Sequence, residues 1–286
     1  MVDRARYVGD PVAGVIASSE AIAEAAIQAG CRLFFGYPIT PQNEIPEYMS
    51  ARLPQVGGTF VQAESEVAAS NMLYGASGSG ERVMTSSSSP GISLMAEAIS
   101  YLAGSELPVV IVNIMRGGPG LGNIAPAQSD YFQATRGGGH GDYRTIVLGP
   151  SRVQELADCM ILAFDLADKY RGPVMILGDG MIGQMMEPVE YIEPRTKFAR
   201  EDWAVYGDAE SKLNLISSIF LDPDELEEHN RKLQQKYQRL QEKEVRYEDY
   251  YLDDAKFVIV AYGIVSRMVR SAVEQLRNEG LKVGML

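Results

Sequence analysis

The chain has 286 residues, of which 46% are hydrophobic and 22% are charged, and its formal net charge is -12. An acidic chain repels phosphate backbones, which argues against a nucleic-acid partner. No apolar run approaches the roughly 20 residues that span a bilayer, and Met1–Gly14 lacks the apolar centre of a signal peptide. We therefore expect a globular protein with no nucleic-acid or membrane partner.

The cysteines argue against a metal cluster in this chain. Cys31 and Cys159 stand far apart, and no Cys-x-x-Cys pair occurs. Iron–sulfur clusters usually need about four cysteine ligands, so this chain is not expected to hold one. Both residues lie in apolar surroundings, and we predict that they are buried thiols in a reducing, cytoplasmic location.

Strands alternate with helices over the first part of the chain. Predicted helices cover residues 19–29, 41–53, 65–74, 91–102 and 151–169, and predicted strands cover 32–37, 59–62, 82–86, 108–115, 145–148 and 174–177. A long glycine-rich loop is predicted at 117–141. Apolar strands joined by helices indicate right-handed crossovers. The predicted fold class is therefore α/β, a doubly wound parallel sheet with helices on both faces.

The character of the sequence changes after residue 182. We predict three segments: an α/β domain at 1–182, a linker with a long charged helix at 183–254, and a second α/β domain beginning at 255–286. The helix is expected from Asp222 to about Tyr247, with an apolar stripe that suits packing within its own subunit or on a partner. A strand, helix and strand at 257–286 are expected to be the start of a domain that is cut short.

Polar residues follow three predicted strands. The segments are Gly36-Tyr37-Pro38-Ile39-Thr40-Pro41, Ala63-Glu64-Ser65-Glu66 and Asn113-Ile114-Met115-Arg116-Gly117-Gly118. Because ligands of open parallel sheets bind at the carboxyl ends of the strands, a hydroxyl, a carboxylate and a guanidinium are expected to converge there. That set suits an anionic substrate beside a cofactor that exchanges a proton.

Simpler explanations exist for each candidate. Glu64 and Glu66 could be present because acidic residues stabilise a helix N-terminus. Arg116 could lie on the surface, and Thr40 could cap the helix that follows it. His140, within a glycine-rich run, could carry a proton for a substrate or have no role at all. No nucleotide-binding glycine fingerprint follows the first predicted strand, and no P-loop or Gly-x-Ser-x-Gly elbow is present.

These motifs resemble the alpha subunit of 2-oxoacid:ferredoxin oxidoreductases. The resemblance rests on Gly36–Pro41, on Ser65-Glu66 with its small-residue helix, on Met115–Gly120 and on Gly137-Gly-Gly-His-Gly-Asp142. It extends over about residues 15–286. It is closest to the 2-oxoisovalerate (branched-chain) type, with the 2-oxoglutarate type next.

The resemblance implies a thiamine diphosphate enzyme built from several chains. This chain would bind the pyrimidine side of the cofactor, while the beta subunit would bind the diphosphate with Mg²⁺. Iron–sulfur clusters would belong to partner subunits. Gly178-Asp179-Gly180 is similar to the start of the magnesium-binding motif, but that motif needs an Asn about thirty residues later, and the next Asn is Asn214. We predict that this tripeptide is a turn after the last strand.

Site roles also follow from the resemblance. Glu66 would hydrogen-bond the aminopyrimidine ring, with Glu64 as the fallback and Pro38 beside the cofactor. Arg116 would face the substrate carboxylate, and Thr40 would hydrogen-bond the substrate, with His140 nearby. The reaction implied is oxidative decarboxylation of a 2-oxo acid to an acyl-CoA, with electrons passed to ferredoxin.

The partners implied are beta, gamma and iron–sulfur subunits, ferredoxin and coenzyme A. Two other functions remain open on the residues alone: a nucleotide-binding oxidoreductase, which the missing glycine fingerprint argues against, and a non-catalytic assembly subunit.

Overall fold

The computed structural model describes residues 14–191, 193–195 and 198–286, so the interpretation of Met1–Gly14 lies, apart from Gly14, outside it. Contacts divide the chain into two units. The first includes the described residues up to Leu148 and then Val153–Ser218, and the second combines Gly149–Arg152 with Ile219–Leu286. Within the described ranges, no helix combines the length and the apolar character needed to cross a bilayer. The three-segment division predicted above stays a prediction.

The first unit alternates strands and helices. Its strands are β1 Gly14–Ala17, β2 Leu33–Gly36, β3 Thr59–Gln62, β4 Val83–Ser87, β5 Val109–Met115, β6 Ile146–Leu148, β7 Pro173–Asp179 and β8 Met186–Val189. Its helices are α1 Ser18–Gln28, α2 Glu44–Arg52, α3 Glu66–Gly78, α4 Ser89–Leu94, α5 Ala96–Gly104, α6 Tyr131–Arg136 and α7 Val153–Tyr170. Short 3-10 turns cover Leu53–Val56 and Ile182–Gln184.

The main sheet has six parallel strands in the order β3-β2-β4-β5-β7-β6. Its centre is the pairing of β5 with β7, which runs in register from Val109↔Pro173 to Met115↔Asp179. Every residue of these two strands is buried, as expected for apolar strands covered on both faces. The predicted α/β parallel sheet is therefore confirmed.

Helices cover the sheet on both faces. Apolar residues of α1, α2 and α7, such as Ile22, Met49 and Phe164, pack with Val110 and Val112 of the sheet in one core. Side chains alternate along a strand, so Ile111 faces the other side, where α3 packs against α5 and β4. The layers leave the carboxyl ends of the strands as the edge where a site can form.

Several predicted elements differ from the structure. The helix predicted to fade at Gly75 continues to Gly78, because alanine, serine and glycine fit the close contact with β2 and β4. The single helix predicted at 91–102 is two helices, α4 and α5, which meet at Met95. The loop predicted at 117–141 contains the short helix α6.

The end of the sheet domain also differs. β7 extends through Gly178 and Asp179, so these residues are strand and not a turn as predicted. The segment predicted as an extended linker contains β8, which pairs antiparallel with β1. β8 contains Glu187 and Pro188, so it lacks the apolar run that marks a buried parallel strand.

The second unit contains α8 Pro223–Lys243, β9 Phe257–Ile259, α9 Gly263–Asn278 and β10 Val283–Met285. Asp222 caps α8 by accepting hydrogen bonds from two backbone N–H groups, and the helix ends at Lys243, short of the predicted end near Tyr247. β9 and β10 pair in parallel around α9, as predicted. Val273, Val283 and Met285 form their small core.

Candidate active site

Three neighbouring strands of the main sheet end at the same edge. β4 lies between β2 and β5, so Ser87 at the end of β4 lies between the loops that carry Thr40 and Arg116. α3, which begins at Glu66, packs against β2 and β4. The fold thus places at one edge the strand-end segments that the sequence predicted would converge.

Arg116 is buried at this edge, with 6% of its surface exposed. Its Nη1 donates to the main-chain oxygen of Thr40 at 2.9 Å and its Nη2 donates to that of Leu121 at 3.2 Å. Among the described residues, the Nε has no hydrogen-bond partner and no carboxylate pairs with the guanidinium. A buried guanidinium with spare donors and no acidic partner suits an anionic ligand such as a carboxylate.

Thr40 is half-buried, and its hydroxyl accepts a hydrogen bond from Asn43 Nδ2 at 3.3 Å. The link to Arg116 uses the Thr40 main-chain oxygen. The hydroxyl therefore retains its own proton for a further acceptor. Pro38, predicted to lie beside the cofactor, is exposed at the start of the same loop.

The two glutamates after β3 have different environments. Glu64 is exposed, whereas Glu66 is 5% exposed as the first residue of α3. Ser65 starts this helix, because its hydroxyl accepts a hydrogen bond from the Ala68 N–H at 3.1 Å. Within the described residues, the Glu66 carboxylate has no hydrogen-bond partner. No donor reaches the carboxylate from the described residues, yet its oxygens keep some access to solvent, so this position suits a ligand that brings an N–H group.

Gly91 provides the space that the Glu66 side chain occupies. A Cβ at Gly91 would lie 2.8 Å from Glu66 Oε1 and 2.0 Å from Ser87 Oγ. No side chain can therefore replace Gly91 without displacing one of these groups. The carboxylate and the end of β4 are in this way brought close together.

Buried polar groups surround the end of β4. The Ser86 hydroxyl donates to Gln42 Oε1, and both residues are fully buried. Gln42 Nε2 and the hydroxyls of Thr85, Ser87 and Ser88 have no hydrogen-bond partner among the described residues. A concentration of such groups at a strand end is typical of a site rather than of a packed core.

Sequence reasoning missed a second polar group beside Arg116. Asn113 Nδ2 donates to Asp130 Oδ2 at 3.0 Å, and Ser89 Oγ contacts the same carboxylate oxygen. The Arg116 N–H donates to Ser89 Oγ at 3.0 Å. One signal was available: Asn113 is a lone polar residue within the otherwise apolar strand β5, where burial requires a partner.

His140 does not join the other candidates among the described contacts. It is exposed, its main-chain oxygen accepts a hydrogen bond from Ser100 Oγ at 2.7 Å, and its ring packs edge-on against Tyr101, 5.9 Å between centroids. Both contacts are with α5. Its substrate-binding role stays a prediction.

The fold and the site together define a class of protein. An open parallel sheet carries at its strand ends a buried arginine without an acidic partner and a buried glutamate without a donor. Such a sheet is suited to an α/β enzyme that holds an organic cofactor beside an anionic substrate.

Comparison with known proteins identifies the family. The family described as pyruvate flavodoxin/ferredoxin oxidoreductase, thiamine diphosphate-binding, matches residues 24–251, and pyruvate:ferredoxin oxidoreductase core domain II matches residues 255–286. The chain belongs to the pyruvate flavodoxin/ferredoxin oxidoreductase family. The resemblance drawn from the strand-end motifs is thereby confirmed.

Curated relatives are subunits of 2-oxoacid oxidoreductases. The chain is 57% identical over 273 residues to the ketoisovalerate oxidoreductase subunit VorB of Methanothermobacter thermautotrophicus, a match of 95% of this chain and 78% of the relative. It is 39% identical over 304 residues to the 2-oxoglutarate synthase subunit KorA of the same organism, covering 95% and 79%. The branched-chain type is thus the more similar, as predicted.

A solved structure agrees on the fold. The chain superimposes with a TM-score of 0.83 and 29% identity on a 2-oxoglutarate:ferredoxin oxidoreductase from Magnetococcus marinus with 2-oxoglutarate, coenzyme A and succinyl-CoA bound. The match covers 98% of this chain and 55% of that one. The chain therefore spans a little over half the length of the solved protein.

Proposed function

We propose that this chain is the alpha subunit of a thiamine diphosphate-dependent 2-oxoacid:ferredoxin oxidoreductase, with 2-oxoisovalerate as the preferred substrate. The observation that carries the proposal is Glu66, a buried residue whose carboxylate has no hydrogen-bond donor among the described residues, at a sheet edge shared with Arg116. The 57% identity to a ketoisovalerate oxidoreductase subunit supports the substrate.

The roles of the residues follow from their chemistry. Thiamine diphosphate, when bound, supplies the carbanion chemistry that removes carbon dioxide from a 2-oxo acid. Glu66 accepts a hydrogen bond from the aminopyrimidine ring and fixes its protonation state. The spare donors of Arg116 hold the substrate carboxylate, and the Thr40 hydroxyl donates to the substrate. Glu64 is the fallback for the ring contact, Pro38 is assigned to the cofactor, and His140 is assigned to the substrate.

The remaining groups are assigned to partners. The diphosphate of the cofactor and its Mg²⁺ are held by a beta subunit, and the iron–sulfur clusters that reduce ferredoxin belong to further subunits, including gamma. Coenzyme A accepts the acyl group. Neither Cys31 nor Cys159 is in a disulfide within the described part of the chain, and we place the complex in the reducing cytoplasm.

Reconstitution tests this function. The chain is co-expressed with its neighbouring subunits, and CoA-dependent reduction of a viologen dye is measured with 2-oxoisovalerate, 2-oxoglutarate and pyruvate, with and without thiamine diphosphate. Thiamine-dependent reduction that is fastest with 2-oxoisovalerate is expected.

Other outcomes are informative. Faster reduction with 2-oxoglutarate would assign the complex to the alternative substrate, which the 39% identity to KorA makes the runner-up. Equal activity of the partner subunits without this chain would make it a non-catalytic assembly subunit. No thiamine-dependent activity from an assembled complex would refute the proposal.

A further inference from the structure

Asp130 occupies the position that normally caps a helix, but it does not cap one. It is the residue before α6, where an Asp side chain usually accepts hydrogen bonds from the first N–H groups. Its carboxylate makes no such bond. It turns instead toward β5 and the start of α4, where Oδ2 accepts from Asn113 Nδ2 at 3.0 Å and contacts Ser89 Oγ at 2.5 Å. The side chain therefore serves the strand ends rather than its own helix.

The Ser89 hydroxyl connects Asp130 to the backbone of Arg116. A hydroxyl has one proton and two acceptor lone pairs. The short contact with the Asp130 carboxylate takes the proton, because a charged acceptor forms the stronger hydrogen bond. A lone pair then faces the Arg116 N–H, which donates to Ser89 Oγ at 3.0 Å. Asp130 thus fixes the direction in which Ser89 accepts.

Asn113 braces the same group from inside β5. It is fully buried, its Oδ1 accepts from the Ser89 N–H at 3.1 Å, and its Nδ2 donates to Asp130. If the Asn113 amide were flipped, its NH₂ would face the Ser89 N–H and its oxygen would face the Asp130 carboxylate. Only the orientation described here satisfies both neighbours. Ser89, Asn113 and Asp130 therefore form a closed hydrogen-bonded group directly below Arg116.

We propose that Asp130 is a positioning residue for the substrate-carboxylate clamp, acting through Ser89 and Asn113 on the peptide that carries Arg116. This inference rests on the proposed function. The guanidinium is held at its far end by two main-chain oxygens, and its backbone end is held by Ser89. A shift of that peptide would move the spare donors relative to a substrate carboxylate without removing any group that touches the substrate.

The test compares substitutions in the assembled complex. In Asp130→Ala the Ser89 proton is free to turn toward the Arg116 main-chain oxygen, 3.3 Å away. In Ser89→Ala the acceptor for the Arg116 N–H is removed. Both should raise the KM for the 2-oxo acid by about tenfold, a change that a small misplacement can cause. The kcat and the KM for coenzyme A should stay within about threefold of wild type.

A conservative variant and a matched control separate positioning from general damage. In Asp130→Asn an amide oxygen can replace Oδ2 and still accept from both Ser89 and Asn113, so the KM for the 2-oxo acid should recover to within about threefold of wild type. Ser77→Ala removes the hydroxyl of another buried serine, which lies apart from this group and donates to the Pro108 main-chain oxygen at 2.7 Å. It should leave the KM for the 2-oxo acid unchanged.

A second measurement distinguishes this inference from the proposed function. The rise in Tm that the 2-oxo acid produces is measured on the same complexes, whether or not they turn over. A shift that is present in wild type, reduced in Asp130→Ala and Ser89→Ala, and restored in Asp130→Asn supports the inference even where thiamine-dependent turnover is absent.

Several results would overturn it. One such result is a KM for the 2-oxo acid and a Tm shift that are unchanged in both Asp130→Ala and Ser89→Ala. Another is a fall in the kcat of these variants with no change in that KM. No recovery in Asp130→Asn would refute the hydrogen-bonded relay. A wild-type complex with neither turnover nor a Tm shift would remove both the inference and the proposed function. If Asp130→Ala does not fold, Ser89→Ala and Asp130→Asn decide the result.

Discussion

The guanidinium of Arg116 donates from Nη1 to the main-chain oxygen of Thr40 at 2.9 Å. This bond joins the end of β5 to the loop after β2, two strands of the sheet that are separated by β4. Residues 76 positions apart in the chain thus form one unit at the sheet edge. Because the bond uses the main-chain oxygen of Thr40, the Thr40 hydroxyl and the Arg116 guanidinium can be tested by separate substitutions.

Arg116→Lys is expected to raise the KM for the 2-oxo acid by about 10- to 100-fold, since hydrogen bonds to charged groups contribute roughly 1.5–3 kcal/mol. A lysine keeps the charge but has a single nitrogen, which cannot reach the Thr40 and Leu121 oxygens and a carboxylate together. Steady-state kinetics of the reconstituted complex measure the change. Arg144→Lys is the control, because Arg144 also donates to two main-chain oxygens but is exposed. Equal KM values in the two variants would contradict the clamp.

Thr40→Val tests the hydroxyl alone, because the main-chain oxygen that Arg116 binds remains. The loss of one hydrogen bond to the substrate should lower kcat/KM by about tenfold, or roughly 1.4 kcal/mol. Thr40→Ser keeps the hydroxyl and should retain most of the activity. If Thr40→Val and Thr40→Ser had equal kcat/KM, the hydroxyl would have no part in the reaction.

The buried thiol of Cys31 gives a prediction about pH. Burial raises its pKa from 9.0 to about 12. Above pH 9 the unfolded chain loses this proton while the folded chain keeps it, so the free energy of unfolding falls as the pH rises toward 12. Cys31→Ala should make that alkaline decline shallower by up to ~1.4 kcal/mol per pH unit. Urea denaturation at increasing pH measures it, with the half-buried Cys159→Ala as control. Parallel declines in wild type and Cys31→Ala would be evidence against the shift.

The sequence allowed the sheet to be predicted because its central strands are apolar on both faces. β5 and β7 are recognisable in this way, and the loop after β5 carries Arg116. The order of the strands and the pairing of β1 with β8 depend on packing between distant segments, which a local pattern does not show. β8 also contains Glu187 and Pro188, residues that are unusual in strands. α6 was hidden because six residues are too few to show a helical period.

The site was predictable in part for the same reason. A strand-end rule finds Thr40 and Arg116, since Arg116 directly follows β5 and Thr40 lies in the loop after β2. It cannot distinguish Glu64 from Glu66, because the direction of each side chain depends on where α3 begins. Nor does it find Asp130, because its side chain contacts Ser89, 41 residues away along the chain, instead of capping α6. Such tertiary hydrogen bonds have no local pattern.

Glu66→Gln is expected to lower thiamine-dependent turnover by about 100-fold or more, the range for loss of a group that controls a proton. The glutamine side chain has nearly the same size, but it lacks the negative charge that orients the aminopyrimidine ring. Glu64→Gln should change turnover by less than about threefold, because Glu64 is exposed. Turnover at saturating thiamine diphosphate is the measurement. If Glu64→Gln were the more damaging variant, the role would belong to Glu64.

Gly91→Ala should disable the site without touching any charged group. The added Cβ would lie 2.0 Å from Ser87 Oγ and 2.8 Å from Glu66 Oε1, and both distances are too short for real contacts. Even if the Ser87 hydroxyl rotates away, the approach to Glu66 Oε1 remains, so Glu66 or the turn after β4 must move. A displacement of this size at a reacting group should lower turnover by about 100-fold.

Gly75→Ala is the matched control for that change. Gly75 lies in α3, the helix that Glu66 begins, and a Cβ there would meet nothing within 4 Å. The substitution should preserve turnover and raise the free energy of unfolding by about 0.8–1 kcal/mol, the difference in helix propensity. Comparing the two variants separates crowding at Glu66 from a general effect of replacing glycine. Full activity in Gly91→Ala would show that the Glu66 carboxylate need not stay where the fold holds it, and its role at the cofactor would fall with that result.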